Sequence, residues 1–512
     1  MLAVCGHESI RRTPMSVQKP SSAQIASLAA EIGYTDIAEA PEEFTAMISG
    51  MVGVLDALSA IPETEVLRSR DAVNYTVPTV EEDPHHAWEV RTSIPGADSG
   101  PLAGVRLGVK DSILVAGVPM RNGSRELETF VPKEDATVVT RVLAAGAEVI
   151  GKTTNEYFCM SGGSHTAATG VVHNPHRMGY SSGGSSSGSA VALVTGDADM
   201  TLGADQAGSI RMPASWSGVV GLKPTYGLVP YTGIGTLDGY FDHVGPMTRT
   251  VVDNARLLTV IAGSDGIDFR QRDIVVGDYS SRIDDGVKGL RIGVLTEGFG
   301  TENAEADVDR TVRDTVDSLG RQGAIVEEVS IPLHSLGSAL WTAIAIEGMA
   351  ETVLRNQGFG FGRPDYYPVD MMQHLFDHRG DVDAHPANVR LFTLVGRYVD
   401  QQAGRLHYAK AVNSARTLRA AYDDVLERFD VLVTPTTPQT ARPLPDPEHG
   451  TGAAIAASIE MSTNTTPFNV THHPALSVPC GTVDGLPVGI QLIGKHFDEA
   501  ILFRVGQAIE NL

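Results

Sequence analysis

Between Tyr180 and Ser189 nine of ten residues are glycine or serine, and the run passes straight into the apolar stretch Ala190–Val194. Small residues let a backbone turn tightly and bring amide N–H groups close to a ligand. A Gly/Ser tract between domains reads as a flexible linker. This one lies mid-chain and opens onto a helical apolar pattern, so a linker explains it poorly. A phosphate-binding loop is the other reading, but neither G-x-x-x-x-G-K-[ST] nor G-x-G-x-x-G after a strand is present. A second block of small residues follows at Gly203-Ala204-Asp205-Gln206-Ala207-Gly208-Ser209-Ile210-Arg211-Met212-Pro213.

The surroundings alternate strand and helix patterns. Val105–Val109 is a short apolar run. Asp135 is expected to cap a helix carrying Val138, Val139, Val142 and Leu143, which Gly146 ends before a strand through Val149 and Ile150. Leu290–Leu295 predicts a strand, 305–322 a helix, Ala324–Ile331 a strand, and Asp430–Thr434 a buried strand. This order predicts an α/β class with a mixed, mainly parallel central sheet flanked by helices. Ahead of it, Ile25, Leu28, Ala29 and Ile32 mark one amphipathic helix, with Ser21/Ser22 as caps and Gly33 as stop. Pro41 opens a second helix with Phe44, Met47, Ile48, Met51, Leu55 and Leu58 on one stripe. Two such helices cannot bury their apolar faces alone and need the main body or a second subunit. Residues 72–100 read as a linker wrapping the body, and 340–400 as a helical lid or insertion. The expected division is therefore 1–71, a helical extension, and 72–512, the main domain.

At 512 residues the chain exceeds what one hydrophobic core usually serves. A net charge of −23 without a dense Lys/Arg run argues against nucleic-acid binding. Three unpaired cysteines, Cys5, Cys159 and Cys480, fit a reducing compartment rather than a disulfide scaffold. No apolar run is long enough to span a membrane, and the first eight residues lack a signal-peptide pattern, so a cytoplasmic location is expected. The sixteen histidines show no clustered ligand spacing; His85-His86 and His472-His473 are expected to be solvated or packed, and no metal or cofactor is expected.

The blocks Gly183–Ser189 and Asp205–Pro230 resemble the Gly/Ser-rich signature of the amidase signature family. The likeness runs upstream to Gly104–Asp111 and downstream through Asp430–Pro435, Pro467–Gly481 and Gly485–Gly494, covering about residues 100–510 in order. It implies the amidase signature fold and a Ser–Ser–Lys triad. The family's lysine, in a Gly-Val-Lys-Asp context, maps to Lys110. Its nucleophile, in Gly-Ser-Ile-Arg, maps to Ser209, and its bridging serine, held in a cis peptide, to Ser185. The backbone N–H groups of Gln206, Ala207, Gly208 and Ser209 are the implied oxyanion donors. Ser186, Asp205 and Arg211 fall at supporting positions. Taken alone, a Lys-Asp pair such as Lys110-Asp111 is most often a surface ion pair, and a lone serine in a Gly-rich loop a turn residue; the three in order carry the catalytic reading. Ala207 stands where many relatives have glycine, so the loop must take an ordinary backbone conformation there.

An amide carbonyl is a poor electrophile, so a serine attacking it needs a base, and a lysine serves only when burial keeps it neutral. The implied activity is hydrolysis of small aliphatic or aromatic amides to acid and ammonia through an acyl-enzyme on Ser209. Gln206, Pro230–Ile234, Asp242–Met247 and the helical extension further resemble bacterial amidases that act with nitrile hydratases, which implies a homodimer built through the extension. Three alternatives share the sequence: a carbamate or anilide hydrolase with the same triad, a glutamine-dependent transamidase subunit, and a catalytically silent scaffold. Cys159–Gly163, Tyr231–Ile234 and parts of 340–380 and 455–468 are the expected pocket lining, with Cys159 as a small buried hydrophobe.

Overall fold

The computed structural model describes residues 17–61, 67–379 and 382–512. The expectations placed on Cys5 and on the first eight residues lie outside these. The chain divides into two compact units that part between residues 66 and 67, against the expected 71/72. Residues 67–71 are tied to the larger unit: Arg70 pairs with Asp135 at 2.8 Å, and its N–H donates to Lys133 O.

The smaller unit contains α1 (Ser22–Ile32), α2 (Thr35–Glu39) and α3 (Glu42–Asp56). Ser21 and Gln24 form a reciprocal capping box at the start of α1, and Gly33 ends it at φ 99°, where a side chain would be strained. Pro41 opens α3, as expected. The short α2 between them has no apolar periodicity of its own to announce it. Ile25, Ala29 and Val52 are buried, whereas Met47, Met51, Val54 and Leu55 are exposed.

The larger unit is built on a twelve-stranded sheet. Its strands are β1 (Tyr75–Thr76), β2 (Trp88–Ile94), β3 (Arg106–Lys110), β4 (Glu148–Thr153), β5 (Met200–Asp205), β6 (Val220–Lys223), β7 (His243–Thr248), β8 (Arg291–Leu295), β9 (Ile325–Val329), β10 (Val431–Pro435), β11 (Ala475–Val483) and β12 (Leu486–Ile493). The spatial order is β1-β2-β4-β3-β5-β7-β6-β11-β12-β10-β8-β9. The α/β class and the mixed sheet are as expected, but the balance of directions is not. Four pairings are parallel, in the groups β4-β3-β5 and β10-β8-β9. Seven are antiparallel and occupy the centre and one edge. One cause is the hairpin β11–β12, closed by Asp484 (φ 50°) and Gly485 (φ 76°), the left-handed pair of a tight two-residue turn. A second is the span 72–100, which is not a wrapping linker: it supplies β1 and β2, pairing antiparallel onto β4.

The apolar run after the Gly/Ser tract forms the helix Ser187–Val194, buried except at its end and packed on β3, β4 and β5. Gly188 makes this approach possible, because a Cβ there would lie 2.1 Å from Ala87 O. The helix at Thr137–Ala144 forms as predicted, but Asp135 does not cap it; its carboxylate is taken by Arg70 and by the Ala116 N–H. Residues 337–379 and 382–403 are largely helical, in segments that include Gly337–Met349 and Ala387–Ala403.

Candidate active site

Lys110 ends β3, and its side chain is fully buried. Its Nζ lies 2.7 Å from Ser185 Oγ and 3.3 Å from Ala204 O. Burial is the largest influence on this amine and pushes its pKa below the ordinary lysine value; the flanking Cys159, Asp205 and Glu156 pull the other way without cancelling it. Asp111 does not pair with its neighbour. It forms a buried ion pair with Lys152 at 2.9 Å and accepts from the Arg121 and Asn122 N–H groups, so among the described residues Lys110 has no carboxylate to keep it charged by direct contact.

Ser185 follows a cis Gly184–Ser185 peptide bond. The next residue links the two small-residue blocks. The N–H of Ser186 donates to Ser209 O at 3.2 Å, and its hydroxyl bonds both the N–H and the C=O of Ala204 at the end of β5. Ser209 is thereby held beside the Ser185 segment. No hydrogen bond between the Ser185 and Ser209 hydroxyls is present among the described residues.

The loop bearing Ser209 is wrapped around one carboxylate. Asp205 accepts from the N–H of Gly208 (2.8 Å) and Ile210 (3.1 Å), from Arg211 at 3.0 Å on each oxygen, and from Asn469 at 2.8 Å. Arg211 is fully buried and also donates to Thr465 O, Gln491 and Asn469. Burial alone would raise the Asp205 carboxyl, but Arg211 and Asn469 outweigh it and hold the carboxyl at about 2. One expected oxyanion donor is therefore withdrawn, since the Gly208 N–H is spent on Asp205. The N–H groups of Gln206, Ala207 and Ser209 have no partner among the described residues. Their orientation is set from the opposite side: Trp341 Nε1 donates to Gln206 O at 2.8 Å, and Thr465 Oγ1 donates to Ala207 O. Ala207 keeps a negative φ.

Ser209, Gln206 and Ala207 open onto a pocket of about 410 Å³ including its mouth. Its apolar wall is Met160, Met212, Leu237, Trp341, Met349, Phe392 and Ile459, and no lining residue is charged. Of the expected lining, Cys159–Gly162, Trp341, Met349, Ser458, Ile459 and Ser462 are in place. Tyr231 stands behind the wall instead, accepting from Gln206 Nε2 at 2.7 Å. Trp341 and Thr465 fall in segments expected as lining and Asn469 inside a family-like block, but their roles in fixing the loop had no signal in the sequence. Among the described residues, one group, Asp423, His473 and His496, has atoms placed to ligate a metal, and no member of the triad belongs to it.

The model of the family described as Amidase matches residues 66–503. The chain belongs to this family. It is 44% identical over 439 residues to an enantioselective amidase from Rhodococcus rhodochrous, covering 84% of each chain. It is 38% identical to a glutamyl-tRNA(Gln) amidotransferase subunit of Exiguobacterium sibiricum, over 84% of this chain and 88% of that one. The crystal structure of the corresponding Thermotoga maritima protein superposes with a TM-score of 0.69 at 33% identity, over 84% and 88% of the two chains. The protein is a hydrolase of amide bonds, and its fold is that of the amidase signature enzymes.

Proposed function

We propose that this amidase converts small aliphatic or aromatic carboxylic amides to the acid and ammonia, with Ser209 as nucleophile, Ser185 as proton bridge and Lys110 as base. The observation that carries the proposal is the 2.7 Å contact between a buried, pKa-lowered Lys110 and Ser185, whose chain segment is bonded to Ser209, a residue that lines an uncharged pocket. As a neutral amine, Lys110 accepts the Ser185 proton while Ser185 takes that of Ser209. The Ser209 oxygen bonds the carbonyl carbon, and the developing oxyanion is met by N–H groups among Gln206, Ala207 and Ser209. One such donor is typically worth about 2.7–4 kcal/mol in the transition state. The proton returns through Ser185 to the amide nitrogen, the C–N bond breaks and ammonia leaves. Water, deprotonated through the same relay, then cleaves the ester and frees the acid.

The lining favours this substrate class over glutamine. A free amino acid brings an ammonium and a carboxylate that need charged partners when desolvated, and the pocket offers none. The carbamate and anilide alternatives use the same chemistry and differ only in the fit of the leaving group. We further propose that the partner is a second copy: the exposed Met47, Met51, Val54 and Leu55 of α3 form an apolar stripe of the kind that dimer interfaces cover. Free Cys159 and Cys480 suit a reducing, cytoplasmic setting. Product release from propionamide, benzamide, an anilide, a carbamate and glutamine, with wild type and Ser209→Ala, tests the substrate assignment. Ammonia from the simple amides, lost in the variant, is expected; turnover of glutamine alone would overturn it.

A further inference from the structure

Away from the triad, three side chains from separate segments meet at the C-terminal end of the helix Thr466–Thr471. Asp423 comes from the helix Leu406–Leu426, His473 from the entry to β11, and His496 from the turn after β12. One ligand atom from each lies within 4.8 Å of the others. The outer nitrogen of each ring is met by an oxygen of Thr471. The Thr471 hydroxyl donates to Pro467 O, so its oxygen accepts from His473 Nδ1–H at 3.0 Å. The Thr471 carbonyl accepts from His496 Nε2–H at 3.2 Å. In the tautomer that donates to Thr471, His473 Nε2 and His496 Nδ1 offer lone pairs, and both nitrogens face Asp423 Oδ1, at 3.0 and 3.7 Å. Three atoms able to ligate a metal thus converge on one point.

We propose that Asp423, His473 and His496 form a binding site for a divalent first-row transition-metal ion of the zinc class, separate from the amide-hydrolysing centre. The separations fit. Ligands about 2.0–2.1 Å from a tetrahedral zinc stand about 3.4 Å apart, and the two measured distances straddle that value. Two imidazoles and one carboxylate are a donor set such ions take, and a half-exposed Asp423 leaves the remaining position open to water. Thr471 orients both rings through their other nitrogens, the outer support that ligating histidines commonly have. The nearby Arg419, which donates to Thr471 O and to His472, is a repulsive charge that weakens the site without occupying it. The ion would join three segments at the end of the helix whose Asn469 holds Asp205.

The test is calorimetric titration of the chelator-stripped full chain with Zn²⁺, for wild type, His496→Gln and Asp423→Ala, with circular dichroism to confirm folding. His378→Ala, altering the stacked His374/His378 pair, is the control for surface binding. One equivalent bound by wild type and by the control, weakened at least about tenfold in both site variants, is expected. No stoichiometric binding by wild type, or binding indifferent to His496→Gln and Asp423→Ala, would overturn the proposal.

Discussion

Lys110 can act as a base only after losing its proton, and the energetics of its surroundings decide how easily it does so. Burial without a directly paired carboxylate lowers its pKa, so the acid limb of kcat/KM is expected below the roughly 10.4 of a free lysine. The sign is fixed: activity falls as pH drops through that value, because the protonated amine cannot accept the Ser185 proton. Lys110→Arg, which keeps the charge and cannot deprotonate at accessible pH, is expected to reduce kcat by about 10³-fold or more, as is Ser209→Ala. A pH–rate profile and steady-state kinetics on one amide check both. Asp205 behaves oppositely. Its carboxyl is held at about 2, below the roughly 3.9 of a free aspartate, so its stabilisation is present above about pH 4 and is lost as pH falls toward 2. Asp205→Asn leaves Arg211 buried without its counter-charge and is expected to cost about 3–5 kcal/mol, read from denaturant unfolding.

The loop between β5 and the helix Arg211–Ser217 shows how much was legible beforehand. Its residues were readable through the resemblance of the Gly-Ser-Ile-Arg block to the amidase signature. The withdrawal of the Gly208 N–H was not readable, because it depends on the loop curling back until that group meets Asp205. Gly208 has φ 126°, and a Cβ would lie 2.3 Å from Thr465 Oγ1. Gly208→Ala is therefore expected to displace the loop and abolish turnover, while circular dichroism shows the fold retained. Strands flanked by clear turn residues were found within a residue or two. β1 and β2 escape a sequence reading because the flanking Pro78, Pro84 and Pro95 and the polar residues around them mimic a linker, and the hairpin at Asp484-Gly485 escapes it although that dipeptide is a strong turn signal. On α3, Met51→Glu with Val54→Glu places charges in the exposed apolar stripe. Light scattering is expected to show wild-type dimers and variant monomers.

For the molecule as a whole, the family likeness predicted which side chains the sheet brings together, but not the shape of the cavity they serve. Phe392 and Leu237 reach the pocket from helices and loops distant in sequence, and no local pattern ties them to Ser209. Turnover by the proposed route passes through a covalent acyl group on that serine. The direct measurement is rapid acid quench during benzamide turnover, followed by peptide mass spectrometry. It is expected to find the mass of one benzoyl group on the peptide containing Ser209, absent in Ser209→Ala. Active enzyme with no acylated peptide at any quench time, or acylation on another residue, would contradict that route.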